Sequence, residues 1–241
     1  MDLWRSSVRL VAVLLLVAMA ADASSIITRL PTSSKEIALT FDACEARTVM
    51  HLDAGILEAL RRHPVPFTVF ASGEFVRDNE AAVAELSHWP DVRIENHSWS
   101  HPHDMRLLSD DEIRSEITQT DDIIERVTGR RPILFRFPGG HADGRTVDLV
   151  AKMGHQTVHW RWPEGDPARA IEAAALIEQT YDKVKPGDIL IFHMNGRGWH
   201  TAEALPQLLD GLERRGYRFV SLTERIGPAS SDVMRESTKA K

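Results

Sequence analysis

The chain has 241 residues, with 29 Lys and Arg against 35 Asp and Glu, for a formal net charge of −6. With no basic tract and no RNA-binding signature, this balance argues against nucleic acid as the main partner. The single cysteine, Cys44, excludes an internal disulfide framework, so stability has to come from packing.

Residues 1–23 read as a signal peptide. Two arginines, Arg5 and Arg9, precede an apolar stretch from Leu10 to Ala20, and small residues at Ala21 to Ala23 fit a cleavage site. The stretch is far shorter than the roughly 20 apolar residues of a membrane-spanning helix. The expected product is exported, periplasmic or secreted, with no stable membrane insertion. Residues 24–34 are expected to be a linker, 35–226 a single domain and 227–241 a disordered polar tail.

Within the domain, β-prone runs alternate with segments of helical periodicity. The runs are Glu36 to Asp42, Pro66 to Ser72, Val92 to His97, Ile133 to Pro138, Gln156 to Trp160, Asp188 to Met194 and Tyr217 to Leu222. Helical segments are predicted over 51–63, 79–89, 109–129, 145–154, 167–187 and 201–217. Ser109 with Glu112 forms a capping box, and Gly129, Gly154 and Gly216 mark helix ends. The alternation predicts an α/β fold with a parallel sheet, either a barrel or an open doubly wound sheet, with its chemistry at the carboxyl ends of the strands.

Asp42 ends the first run, His97 the third and His193 lies at the end of the sixth, with Arg136 near the end of the fourth. A parallel fold would bring these four to one mouth. The stretch "HSWSH" sets His97 and His101 four residues apart, on one face of a predicted helical turn, a spacing that suits a zinc-like ion. It lacks the internal glutamate of the H-E-x-x-H protease motif and leaves room for a carboxylate and a water.

Taken together and in this order, "LTFDAC", "HSWSH", "RFPGG" and "ILIFHMN" resemble the motifs of the polysaccharide deacetylases, the NodB-homology family also called carbohydrate esterase family 4. The resemblance implies a distorted seven-stranded (β/α) barrel of the NodB type. It also implies metal-assisted removal of acetyl groups from N-acetylated, less often O-acetylated, glycans. By resemblance, Asp42 is the general base, Arg136 its orienting partner, Gly139 an oxyanion donor through its N–H, and His193 the general acid. Ile191 lines the acetyl pocket, and His97 and His101 bind a divalent ion, zinc in first place with nickel or cobalt as alternatives.

Two departures accompany the resemblance. Ala43 stands where the family has a second aspartate as third metal ligand. The alternatives are that Asp42 joins the metal, that Cys44 or Glu45 reaches in, that extra water completes a weak site, or that catalysis is lost. The stretch "WRWPEGDP" offers Glu164 and Asp166 as the acid that tunes His193, and Trp160 and Trp162 as substrate contacts. A second reading is a catalytically impaired glycan-binding domain with Trp99, Trp160, Trp162 and Trp199 as stacking surfaces. A third is a hydrolase acting on a small cyclic amide.

Overall fold

A computed structural model describes residues 25–44 and 50–226. The leader and the tail expected from the sequence lie outside the described residues. All seven strands form: β1 (Glu36–Ala43), β2 (Phe67–Ala71), β3 (Val92–Asn96), β4 (Leu134–Phe135), β5 (Gln156–Thr157), β6 (Ile189–His193) and β7 (Arg218–Phe219). They pair in parallel in the order β5-β4-β3-β2-β1-β6, and β7 joins the first two residues of β1.

Side-chain alternation divides this curled sheet into two faces. Ile37, Leu39, Phe41 and Ala43 of β1 join Val69 and Ala71 of β2 and Leu190 and Phe192 of β6 in the apolar layer under the helices. Ala38 instead joins Phe70, Leu134, Val158 and Ile189 in a smaller cluster that fills the hollow of the curl. Thr40 and Asp42 continue that inner face. The β1–β6 register sets Asp42 beside His193 and Thr40 beside Ile191.

β5 and β6 do not pair, and the gap between them is closed by the segment expected to be a linker. The Ile27 N–H donates to the Thr157 carbonyl (2.9 Å), the His159 N–H to that of Ile27 (2.9 Å), and the Leu30 N–H to that of Gly187 (2.7 Å). Leu30 is buried in the inner cluster. Residues from Ser25 onward therefore belong to the domain, because the unpaired strand edges need hydrogen-bond partners.

The helices are α1 (Ala54–Arg62), α2 (Gly73–Asp78), α3 (Glu80–Ser87), α4 (Asp110–Thr128), α5 (Gly144–Lys152), α6 (Ala173–Lys183), α7 (Thr201–Arg214) and α8 (Leu222–Ile226). Neither α2 nor α8 is legible as a separate periodic run. α6 starts later than its periodicity from Pro167 predicts. Residues 165–171 form turns instead, with the Ala168 N–H on the Gly165 carbonyl (3.0 Å) and the Ile171 N–H on that of Ala168 (2.9 Å).

α4 carries the predicted capping box, with the Ser109 hydroxyl accepting from the Glu112 N–H and the Glu112 carboxylate accepting from the Ser109 N–H. It ends at Gly129 in the left-handed region, φ 70°. Ser109→Ala should lower stability by about 1 kcal/mol, read as a shift of the urea midpoint at unchanged slope.

Candidate active site

Asp42, at the carboxyl end of β1, is 4% exposed, and Arg136, just past β4, is fully buried. Arg136 Nη1 donates to Asp42 Oδ1 at 2.8 Å, and the guanidinium lies 4.0 Å from the centroid of the Phe70 ring. Burial alone would raise the Asp42 carboxyl. His97, Arg136 and His193 around it, together with the Arg136 hydrogen bond, hold it down at about 2. Asp42 is therefore a carboxylate at every ordinary pH, with one oxygen committed to Arg136.

The other oxygen, Oδ2, faces His97 Nε2 at 3.5 Å. His97 Nδ1 lies 2.8 Å from the Arg136 carbonyl, which can only accept, so Nδ1 carries the proton and Nε2 presents a lone pair. Burial pulls the His97 imidazole below its usual range and brings His101 down to about 3, so both rings are neutral. Their centroids are 4.9 Å apart.

The pair is not on a helical turn. Ser98 and His101 adopt left-handed backbone, φ 67° and 52°. Glu116 of α4 pins the loop by accepting from the Trp99 and Ser100 N–H groups, both at 2.8 Å, and from the Ser100 hydroxyl at 2.7 Å. A tightly folded loop does the work that the spacing assigned to a helix.

Two neutral imidazoles and a facing carboxylate oxygen are chemically suited to a divalent cation. Among the described residues, however, no group of three or more His, Cys, Asp or Glu side chains is arranged to hold one. Ala43 packs in the outer apolar layer, on the opposite face of β1 from Asp42. Cys44 turns toward Asn195 and Arg197, and burial pushes its thiol up to about 11. Glu45 lies outside the described residues.

His193 ends β6 on the inner face, two residues beyond Ile191, which is 5% exposed. Of the two acids in "WRWPEGDP", Asp166 engages His193. Its Oδ1 lies 2.9 Å from His193 Nδ1, its Oδ2 2.6 Å from the His193 backbone N, and the Thr201 hydroxyl donates to Oδ2 at 2.9 Å. Glu164 caps the same free strand edge one step earlier, accepting from the Ile191 N–H at 3.0 Å. Burial, with Asp166 adding to it, pushes the Glu164 carboxyl well above the usual range. The alternation of Glu164 and Asp166 matches that of Ile191 and His193, and this shared period of two is the signal that could have assigned both.

Trp160 is at the mouth, its ring centroid 5.5 Å from the Arg136 guanidinium and its edge against Gly140. Trp162 is not: its indole N–H donates to Asp188, before the start of β6 and at the other end of the strand from His193. Trp99 lies flat on Gly73, where a Cβ would sit 2.1 Å from the ring, so it is packing and not a stacking surface. Gly139 sits in the left-handed region, φ 61°, beside the His141 ring and the His103 carbonyl. Sequence reasoning missed His159, a buried imidazole brought down to about 4 by burial and by Arg136. It also missed Arg197.

The curled parallel sheet and its strand-end residues define the (β/α)-barrel class of the family 4 carbohydrate esterases. The family model described as polysaccharide deacetylase matches residues 29–158, more than half of the chain, and the chain belongs to that family. It is 29% identical over 199 residues to a peptidoglycan-N-acetylglucosamine deacetylase of Bacillus cereus, covering 81% of this chain and 90% of that protein. It is 28% identical over 200 residues to the peptidoglycan-N-acetylmuramic acid deacetylase PdaA of Bacillus subtilis, covering 80% and 72%. Among solved structures it is similar to a family 4 pseudoenzyme from Bacillus anthracis, with a TM-score of 0.74, 27% identity and coverage of 84% of this chain and 69% of that one. A mutant of that pseudoenzyme with restored enzymatic activity aligns with the same TM-score, 0.74, at 28% identity, covering 84% and 71%.

Arg136→Met should strand a buried carboxylate and cost about 3–5 kcal/mol of stability at neutral pH. The sign follows from the depressed carboxyl: in the wild type the contribution of Asp42 holds above the ordinary value of 3.8 and is lost as pH falls toward about 2. In the variant burial is less opposed, the carboxyl rises, and the contribution fades at higher pH. Carbon-13 titration of Asp42 and denaturation midpoints between pH 3 and 7 check both statements.

Proposed function

We propose that the chain is an exported, metal-dependent hydrolase that removes acetyl groups from an N-acetylated or O-acetylated polysaccharide or oligosaccharide. The observation that carries this reading is the division of labour at Asp42. One oxygen is held by Arg136 and the other is open toward His97, while His193 stands beside it in register with its own acid behind it.

In this reading the acetyl methyl group rests on Ile191, and Trp160 borders the sugar. Asp42 Oδ2 takes the proton of the attacking water, a role open to it because Arg136 keeps it ionised. The Gly139 N–H donates to the oxygen of the tetrahedral intermediate. His193, its Nδ1 proton held by Asp166, gives a proton from Nε2 to the departing nitrogen, and the Asp166 carboxylate stabilises the imidazolium that precedes the transfer. His97 and His101 are the protein ligands for a divalent ion, zinc first, with nickel or cobalt as alternatives. When bound, such an ion supplies Lewis acidity toward water and the acetyl carbonyl. The export assignment rests on residues 1–23.

A second reading, a catalytically impaired glycan-binding domain, has a specific observation behind it. Ala43 sits where the family motif has an acid, and the chain resembles a pseudoenzyme of the same fold.

Two measurements separate the readings. Zinc should raise the melting temperature of the wild type but not of the His97→Ala, His101→Ala double variant. His193→Ala should lower hydrolysis of an acetylated glucosamine oligomer by about 10²-fold or more and hydrolysis of a 4-nitrophenyl ester far less, since a phenolate leaves without a proton. Equal losses on the two substrates would remove His193 from the acid role. No hydrolysis of either substrate by the zinc-loaded wild type would leave the glycan-binding reading.

A further inference from the structure

The loop between β6 and α7 carries an arginine that the catalytic assignment does not use. Arg197 is half-buried, and among the described residues no carboxylate pairs with it. Its one polar partner is Cys44 Sγ, 3.7 Å from Nη1. With its thiol pushed up to about 11, Cys44 is neutral at ordinary pH and a poor acceptor for a guanidinium. Arg197 lies close enough to His101 for its charge to help hold that imidazole neutral. The cation therefore stands at the edge of the reaction centre, partly stripped of water and without a carboxylate partner among the described residues.

The backbone that carries it is closely held. Gly198 packs so tightly that a Cβ there would lie 2.4 Å from the His193 carbonyl and 2.7 Å from Asp166 Oδ2. The Trp199 N–H donates to the Asp166 carbonyl at 3.3 Å. Arg197 and Trp199 thus flank a turn that is tied to the His193–Asp166 pair. Trp199 is 47% exposed, and a second guanidinium, Arg169, lies 3.9 Å from the centroid of its ring, also with no carboxylate partner among the described residues. An aromatic surface for a sugar ring beside a half-dry guanidinium is a recognition pair: the ring takes the apolar face of a sugar, and the fork takes a carboxylate in two parallel hydrogen bonds.

We propose that Arg197, with Trp199 beside it, selects acetylated sugars that carry a carboxylate, so that the substrate of this chain is an acidic glycan and not a neutral one. The inference rests on the deacetylase reading for its location, but it is a statement about binding and stands or falls separately. An alternative task for the same charge, stabilising the anionic intermediate, would act on every substrate alike.

The test uses the full chain loaded with zinc and two tetrasaccharides. One alternates N-acetylglucosamine with N-acetylmuramic acid, whose lactyl ether supplies a carboxylate. The other is neutral tetra-N-acetylchitotetraose. Calorimetric affinity and, where turnover occurs, kcat/KM are measured for the wild type, Arg197→Gln, Arg197→Lys and Trp199→Ala, with melting temperatures to confirm folding. The wild type should prefer the acidic sugar by about tenfold or more, the scale of one charge-assisted contact.

Arg197→Gln should abolish that preference, losing far more on the acidic sugar than on the neutral one. Arg197→Lys should keep part of it, and Trp199→Ala should weaken both sugars. No preference in the wild type, or an equal loss on both sugars in Arg197→Gln, overturns the proposal. Preferential binding of the acidic sugar without any hydrolysis would uphold it while removing the catalytic reading.

Discussion

The site depends on one buried ion pair, Asp42 with Arg136. A carboxylate taken out of water is expensive, and so is a guanidinium; together, and with Phe70 under the guanidinium plane, each makes the other tolerable. The pair sets the geometry around it. The same Arg136 that fixes Asp42 through its side chain fixes His97 through its carbonyl, so Asp42 and the nearest imidazole are oriented by one residue. Because the carbonyl claims the Nδ1 proton, the lone pair on Nε2 has to face Asp42. The facing of these two acceptors in a dry place follows from the backbone hydrogen bond as much as from the side chains.

The second dependence is the free edge of β6. A parallel strand at the end of a sheet leaves alternate N–H groups without partners, and here two side-chain acids supply them. Glu164 and Asp166 sit two residues apart, as do Ile191 and His193, so a short loop stands in for a neighbouring strand. The two acids differ in environment: Glu164 is enclosed, whereas Asp166 is shared among a backbone N–H, an imidazole and the Thr201 hydroxyl. Edge protection and orientation of the candidate acid catalyst are one arrangement. α6 begins only at Ala173, after the turns of residues 165–171 that follow Asp166.

Much of this was legible in the sequence, and the exceptions have physical causes. The seven strands and the gathering of Asp42, His97, Arg136 and His193 follow from alternation and from the topology of parallel sheets. The conformation around His97 and His101 was not, because four-residue spacing fits a helical turn and a folded loop equally, and the deciding partner, Glu116, is on α4. Trp162 misled because composition places aromatics near a mouth without saying which end of a strand they reach. The closing role of Ile27 and Leu30 was hidden for a similar reason: their partners near Thr157 and Gly187 are far away in the chain, and short polar-flanked segments carry no periodicity. For Ala43, the motif gave the missing acid but not the face of the strand on which the methyl group lies.

That closing segment has a mechanical meaning. The seam between β5 and β6 is stitched by residues that begin the described chain, and Ile226, which ends it, packs into the same inner cluster as Ile27 and Leu30. Contacts between such distant parts of the chain are costly to close in entropy and tend to form late in folding. The Ile27 carbonyl also holds the His159 N–H, and the next residue, Trp160, borders the Arg136 guanidinium. The seam thus adjoins the wall of the site, so a substitution that loosens Ile27 would be felt at the mouth as well as in the fold.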